Sequence, residues 1–418
     1  MFPLGRTRPP SLAPCASLGR PTPHAAAWWH APGTLVVATP ELARRVLAES
    51  PQDFCVPEVF SSGTTATVIN DPRSVRTERN SAAKNAMSGP WVDQRTPQLV
   101  EFIDRYLDEH PIPRRWAVLP TLYDLTSALA TFLCLGLACP MWQEIAASLR
   151  QATPGAVATD RAGLRQGRRL REFDVQAQRV TDALHQLLQR RRTQPNSTKG
   201  SVLDLLAHGG EPDGQPSGWS DEARVETLWF MLYTAQTAPA MATSWLLYLL
   251  AHHPEVQQGL RHEAHQPASQ TAASHLIRTR EAGSESLRLY PPTWLLGRTV
   301  RQDTKIDGHL VQPGDQVRVA VQLIQRDERF FPDPHRFHPA RWEPGGPAGQ
   351  APRGAYLPFG LGTHFCRGTA WVHALTGLTV AALLRRYEFT TPRRPQVRPR
   401  LAGHLEPTHL TLLCSRTS

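Results

Sequence analysis

The stretch FGLGTHFCRG, Phe359 to Gly368, sets one cysteine, Cys366, among the glycines Gly360, Gly362 and Gly368, with Phe359 and His364 upstream of it. Cysteine does chemistry as a thiolate, and a free thiol with an ordinary pKa of about 8.5 needs help to stay deprotonated near neutral pH. A glycine-rich loop can give that help by turning backbone N–H groups toward the sulfur, because glycine accepts positive φ and lets the backbone approach closely. The other cysteines, at 15, 55, 134, 139 and 414, form no CxxC pair and no repeated framework. Disulfide scaffolds and zinc clusters are therefore not expected, and Cys366 stands as a thiol with an individual role.

A second constellation lies upstream. ESLRLYPP sets Glu285 and Arg288 three residues apart, the spacing of neighbours on one helix face. FPDPHRFHPARW, between it and the cysteine loop, adds a further guanidinium at Arg341.

The elements that must position these groups are mostly helical. Residues 1–30 read as irregular, GTLVVATP as a short β run and ELARRVLAES as a helix. From about 95 to 140 the pattern is helical, with a buried-looking segment at LTSALATFLCLGLA. Phe173, Ala177, Val180, Leu184 and Leu187 step by three or four and predict an amphipathic helix over 171–192. A helix of about thirty residues is expected from SDEARVETLWFMLYT through MATSWLLYLLAHH, capped by Ser220 with acids in its first turn. After about 300 short β segments and turns dominate, and a last helix follows Gly368 and ends near Arg386. The expected fold class is mainly α with a smaller β part, not alternating βα units.

Three of these segments, in this order, resemble the cytochrome P450 family of haem-thiolate oxygenases. The loop matches that family's haem signature F-G-x-G-x-H-x-C-x-G at Phe359, Gly360, Gly362, His364, Cys366 and Gly368; Glu285 and Arg288 match its E-x-x-R pair, and Pro339-Ala340-Arg341-Trp342 looks like its arginine-bearing meander. The resemblance covers most of the chain from about residue 34 and implies an irregular extension over 1–30, a P450 catalytic domain over 31–418, and a long central helix over haem. It implies haem b held by Cys366 as axial thiolate, the ligand that pushes electron density onto iron. Phe359 would shield the sulfur, His364 and Arg298 would bind haem propionates, and the helix after Cys366 would add the positive end of its dipole. Glu285, Arg288 and Arg341 would form a buried ion network. DPRSVRTER resembles a further propionate-binding helix, in which Arg79 is retained and Val75 replaces the usual histidine or tryptophan.

The long helix departs from the family pattern. An acid–alcohol pair is expected where this chain has Thr237 and Ala238, within Thr234-Ala235-Gln236-Thr237-Ala238, and Pro239 follows. Proline withholds a donor from the carbonyl four residues back, so an opening or kink is expected there. A freed carbonyl, Gln236 and Thr237 could then hold water in place of the usual relay.

Three functions follow from the resemblance. The first is a monooxygenase that takes electrons from a ferredoxin and its reductase and inserts oxygen from O2 into a small organic molecule of specialised metabolism. The second is other haem-thiolate chemistry, such as oxidative coupling, peroxide-driven oxidation or rearrangement. The third is a non-catalytic partner protein. The formal net charge of +10 over 418 residues suits an acidic redox partner, whereas the dispersed basic residues argue against nucleic acid. With no membrane anchor and no secretory leader expected, the chain reads as cytoplasmic.

Overall fold

The computed structural model describes residues 18–19, 21–22, 24–55, 86–136, 145, 163–193, 200–207, 220–393, 397–402 and 404–417. The chain divides into two compact units, one of Met1–Pro57, Ser284–Cys366 and Thr391–Thr411, the other of Glu58–Gly283, Arg367–Thr390 and Leu412–Ser418.

The first unit is built on a five-stranded sheet in the order Ala27–Ala31, Thr34–Val37, Gln316–Val319, Leu296–Val300 and Phe54–Cys55. Its central pairing, Thr34–Val37 with Gln316–Val319, is parallel and matches Leu35 with Val317 and Val37 with Val319. Leu35, Val36, Val37, Val317 and Val319 are wholly buried, so the sheet is covered on both faces and its strands read as apolar runs rather than alternating ones. The strand Ala27–Ala31 begins inside the stretch expected to be irregular; Trp28 is buried and its Nε1 donates to the Leu18 carbonyl at 2.7 Å.

Helix Pro40–Arg44 follows, capped by Thr39, whose side chain accepts from Leu42 N, and it continues as a π-turn over Arg45–Glu49. Helix Ile277–Leu289 carries Glu285 and Arg288. Two-stranded ribbons pair Thr304–Ile306 with His309–Val311 and Arg398–Ala402 with His404–Thr408.

The second unit is helical. Its spine is the helix Asp221–Leu250, with Ser220 accepting from Ala223 N at 3.3 Å and Asp221 and Glu222 in the first turn. Trp229, Leu232, Trp245, Leu246 and Leu247 are all buried; a helix apolar all round belongs inside a core. Against it packs Val118–Leu135, which is long and apolar enough to span a bilayer, contrary to the sequence expectation, yet is 72% buried inside the structure. The amphipathic helix runs over Gly163–Thr193, longer than the spacing predicted, and a strand Arg115–Ala117 interrupts the helical stretch expected over 95–140. The helix Thr369–Arg386 starts after the N-cap Gly368 and ends where expected. Gln257 ties the end of the helix Asp221–Leu250 to the strand Tyr387–Thr390: its Nε2 donates to the carbonyls of Leu250 and Phe389, while its Oε1 accepts from Phe389 N.

His373 lies on this last helix. Burial pushes its imidazole from 6.5 down to about 4, and the Arg280 guanidinium adds to the effect. The folded form therefore refuses a proton that the unfolded chain accepts below about pH 6.5. Stability is intact above that pH and is lost as pH falls toward 4. A wild-type chain should lose about 3 kcal/mol more than His373→Leu between about pH 7 and pH 4 in denaturant titrations; parallel curves would show that His373 does not titrate this way.

Candidate functional site

A buried carboxylate anchors the first unit. Glu285, Arg288 and Arg341 expose 0%, 0% and 3% of their surface. Arg288 Nε and Nη2 meet Glu285 Oε2 and Oε1, each at 2.8 Å, as a bidentate fork. Arg341 Nε donates to Oε1 at 3.2 Å, Trp342 Nε1 to Oε2 at 3.0 Å and His338 N to Oε1 at 3.1 Å. The remaining Arg288 donors are placed as well, Nη1 on the carbonyls of Gln325 and Pro334 and Nη2 on that of Arg336. Arg341 Nη2 takes the Asp333 carbonyl. Removing one member of such a buried ion group strands the others and costs roughly 3–5 kcal/mol. Together they join the helix Ile277–Leu289 to the 333–342 segment.

The cysteine loop follows in the chain. Leu357 N is held by Gln325 Oε1 at 2.7 Å, Gly360 N by the Leu357 carbonyl at 3.0 Å and Cys366 N by the Phe359 carbonyl at 2.9 Å. Gly360 and Gly362 take φ of +72° and +74°. Gly362 also needs to be glycine for space: a Cβ there would lie 2.5 Å from the Leu47 carbonyl oxygen and 2.7 Å from Ala48 Cα, both on the π-turn. The turn Gly362–His364 then delivers Phe365 and Cys366, both exposed. Phe359 and Phe365 sit edge to face at 6.5 Å between ring centroids. Arg298 lies buried on the strand Leu296–Val300, its Nη1 donating to the Gly297 carbonyl at 2.8 Å. Arg79 lies outside the described residues.

Cysteine burial separates the described thiols. Cys134 and Cys414 are buried, and desolvation pushes both thiols up, Cys414 to about 12, which keeps them neutral. Cys55 is half-buried and donates to the Thr299 carbonyl at 3.6 Å. Cys366 alone among them is exposed. A soft sulfur donor, exposed at the end of a loop shaped by glycines, fits a thiolate-ligated haem iron.

Two features of the long helix surround Pro239. Helical backbone continues through Pro239 without a break. Gln236 is 1% exposed and committed to the helix Val118–Leu135: its carbonyl lies 2.7 Å from Thr126 Oγ1, and its Oε1 accepts from Ser127 Oγ at 3.1 Å. Pro239 withholds its donor from the Ala235 carbonyl; the Thr126 and Ser127 hydroxyls lie at Gln236, the next residue. The Gln236 amide oxygen thus takes part in packing the two helices. Thr237 is buried and Ala238 is partly exposed.

Sequence reasoning missed Gln325, Trp342 and the π-turn as supports. Gln325 stands in the mostly apolar run VQLIQ, and a fully buried amide there must be bonded on every side; that is the signal available.

The family model for cytochrome P450 matches residues 164–414, and the chain belongs to this family. Cyclooctatin synthase of Streptomyces melanosporofaciens is 28% identical over 235 residues, covering 55% of this chain and 51% of that protein. Cyclooctat-9-en-7-ol 5-monooxygenase of the same organism is 30% identical over 223 residues, covering 52% and 48%. The chain thus matches about half the length of these relatives. In fold it resembles a retinoic acid-bound cyanobacterial CYP120A1, with a TM-score of 0.79 at 18% identity over 92% of this chain and 89% of that one.

Gly362→Ala should lower the haem bound per chain by roughly tenfold, because strain at positive φ adds to a backbone clash. Gly314→Ala is the control: its φ is +94° but nothing lies within 4 Å of the added Cβ. Equal haem content in the two variants, read from absorbance, would contradict the seating of Gly362 on the π-turn.

Proposed function

We propose that this chain is a haem-thiolate monooxygenase acting on a small organic molecule. The observation that carries this reading is the exposed Cys366 thiol at the end of a glycine-shaped loop, adjoining the segment tied to Glu285. A bound haem supplies the cleavage of dioxygen and the oxidation of substrate. The protein's part is to hold and tune it. Cys366 Sγ would hold the iron, and the loop amides with the helix that begins at Thr369 would favour its thiolate form. Phe359 would shield the sulfur once haem is bound. Arg298, His364 and Arg79 would hold the haem propionates. Glu285, Arg288 and Arg341 fix the backbone from which the loop departs. Electrons come from a ferredoxin and its reductase, and the net charge of +10 favours an acidic donor of that kind. The similarity to a relative named as a monooxygenase of cyclooctat-9-en-7-ol supports a compact, largely apolar substrate of specialised metabolism.

Proton delivery is where this chain differs from its family. With Gln236 engaged by Ser127 and a methyl at Ala238, the Thr237 hydroxyl is the side chain left at this stretch to hold a proton. The missing carboxylate favours a second reading, oxidation or coupling driven by peroxide, which arrives with its protons already in place.

Reduced wild-type protein should form a carbonyl complex with the long-wavelength Soret band of thiolate ligation, and Cys366→Ala should lose it. Turnover with ferredoxin, reductase and NADPH under oxygen is the expected outcome. Turnover with peroxide alone would establish the second reading, and a wild type that takes up no haem would overturn both.

A further inference from the structure

We infer that Gln325 is a positioning residue for the Cys366 ligand loop, coupling it to the C-terminus of the helix that carries Glu285 and Arg288; this rests on Cys366 being the iron ligand. The last carbonyls of any helix have no partner within it. In Ile277–Leu289 they are met from outside. The Ser286 carbonyl takes Tyr290 N at 2.7 Å, and the Leu289 carbonyl takes Arg326 Nε and Nη2 at 3.2 and 2.6 Å. The two between, Leu287 and Arg288, both take Gln325 Nε2, at 3.1 and 3.0 Å.

The other end of the same amide faces the loop. Gln325 Oε1 accepts from Leu357 N at 2.7 Å, just before Pro358 and Phe359. The Gln325 carbonyl accepts Arg288 Nη1 at 2.8 Å. Gln325 is 0% exposed and Leu357 1%. The amide can sit only one way round, because a flip would set its oxygen against two carbonyls and its N–H groups against the Leu357 N–H.

This arrangement is more than a helix cap. One rigid amide spans the distance between the helix end and the first residue of the loop, with both hydrogens and the oxygen used. Tyr356, one residue earlier, adds a second tie by donating its hydroxyl to the Ser284 carbonyl at 3.2 Å. The ion group around Glu285 therefore has a direct route to the loop, through Arg288 and Gln325 to Leu357. Gly360 and Gly362, at positive φ, shape the loop beyond it.

Methionine is the nearest apolar match in length and makes no N–H or C=O contact, so Gln325→Met cuts both ends while filling the space. Histidine can donate at one ring nitrogen and accept at the other, and keeps part of the bridge. In haem-loaded Gln325→Met, exchange of the Leu357 amide should quicken by roughly ten- to a hundredfold. Its reduced carbonyl complex should divide between the thiolate and thiol Soret positions, with Gln325→His between it and wild type. If Gln325→Met melts lower but keeps the wild-type carbonyl spectrum and Leu357 protection, Gln325 only caps the helix and the inference falls. Should Gln325→Met not accumulate as folded protein, Gln325→His decides alone: a partial shift of the carbonyl band supports the inference, and a wild-type spectrum overturns it. A wild type without the thiolate band would overturn instead the assignment of Cys366, and this shows before any variant is made.

Discussion

A carboxylate sealed from water has to be matched donor for acceptor, and Glu285 is matched by two guanidinium groups, an indole N–H and a backbone N–H. Such a group adds little net stability over an apolar replacement, because desolvating the charges cancels much of the Coulomb attraction. What it does supply is geometry. Every Arg288 donor points at a particular acceptor, so the helix Ile277–Leu289, the residues 333–342 and Gln325 hold one arrangement. The cysteine loop starts from that arrangement at Leu357 and reaches the sulfur nine residues later, with two left-handed glycines setting its path.

How legible this was differs by residue. The loop from Phe359 to Gly368 could be read because its chemistry demands a fixed pattern of glycines around a thiol. Glu285 and Arg288 could be read as a helix-face pair, and the long helix from its Ser220 cap and apolar length. The partners were harder to see. Which atom of Glu285 meets Trp342, or that Leu357 leans on Gln325, depends on contacts between residues dozens of positions apart. Their types alone, an indole beside an arginine and an amide in an apolar run, are compatible with many settings.

The long helix keeps helical backbone through Pro239. Pro239 withholds its donor from the Ala235 carbonyl, four residues back, and the neighbouring residue is gripped from another helix. Here Thr126 and Ser127 on the helix Val118–Leu135 lie against Gln236 and engage both its main chain and its side chain. Tertiary packing thus adds contacts next to the proline that the local pattern does not show. Likewise the strand Ala27–Ala31 forms in a stretch without a strong β pattern because Thr34–Val37 offers it an edge and Leu18 a partner for Trp28.

The proposed function requires this scaffold to present the Cys366 sulfur to iron. X-ray absorption at the iron edge of the purified, haem-loaded protein tests it most directly. One sulfur scatterer in the iron's first coordination sphere, beside the porphyrin nitrogens and absent in Cys366→Ser, is the predicted result. A sphere of nitrogen and oxygen alone in the wild type would contradict it.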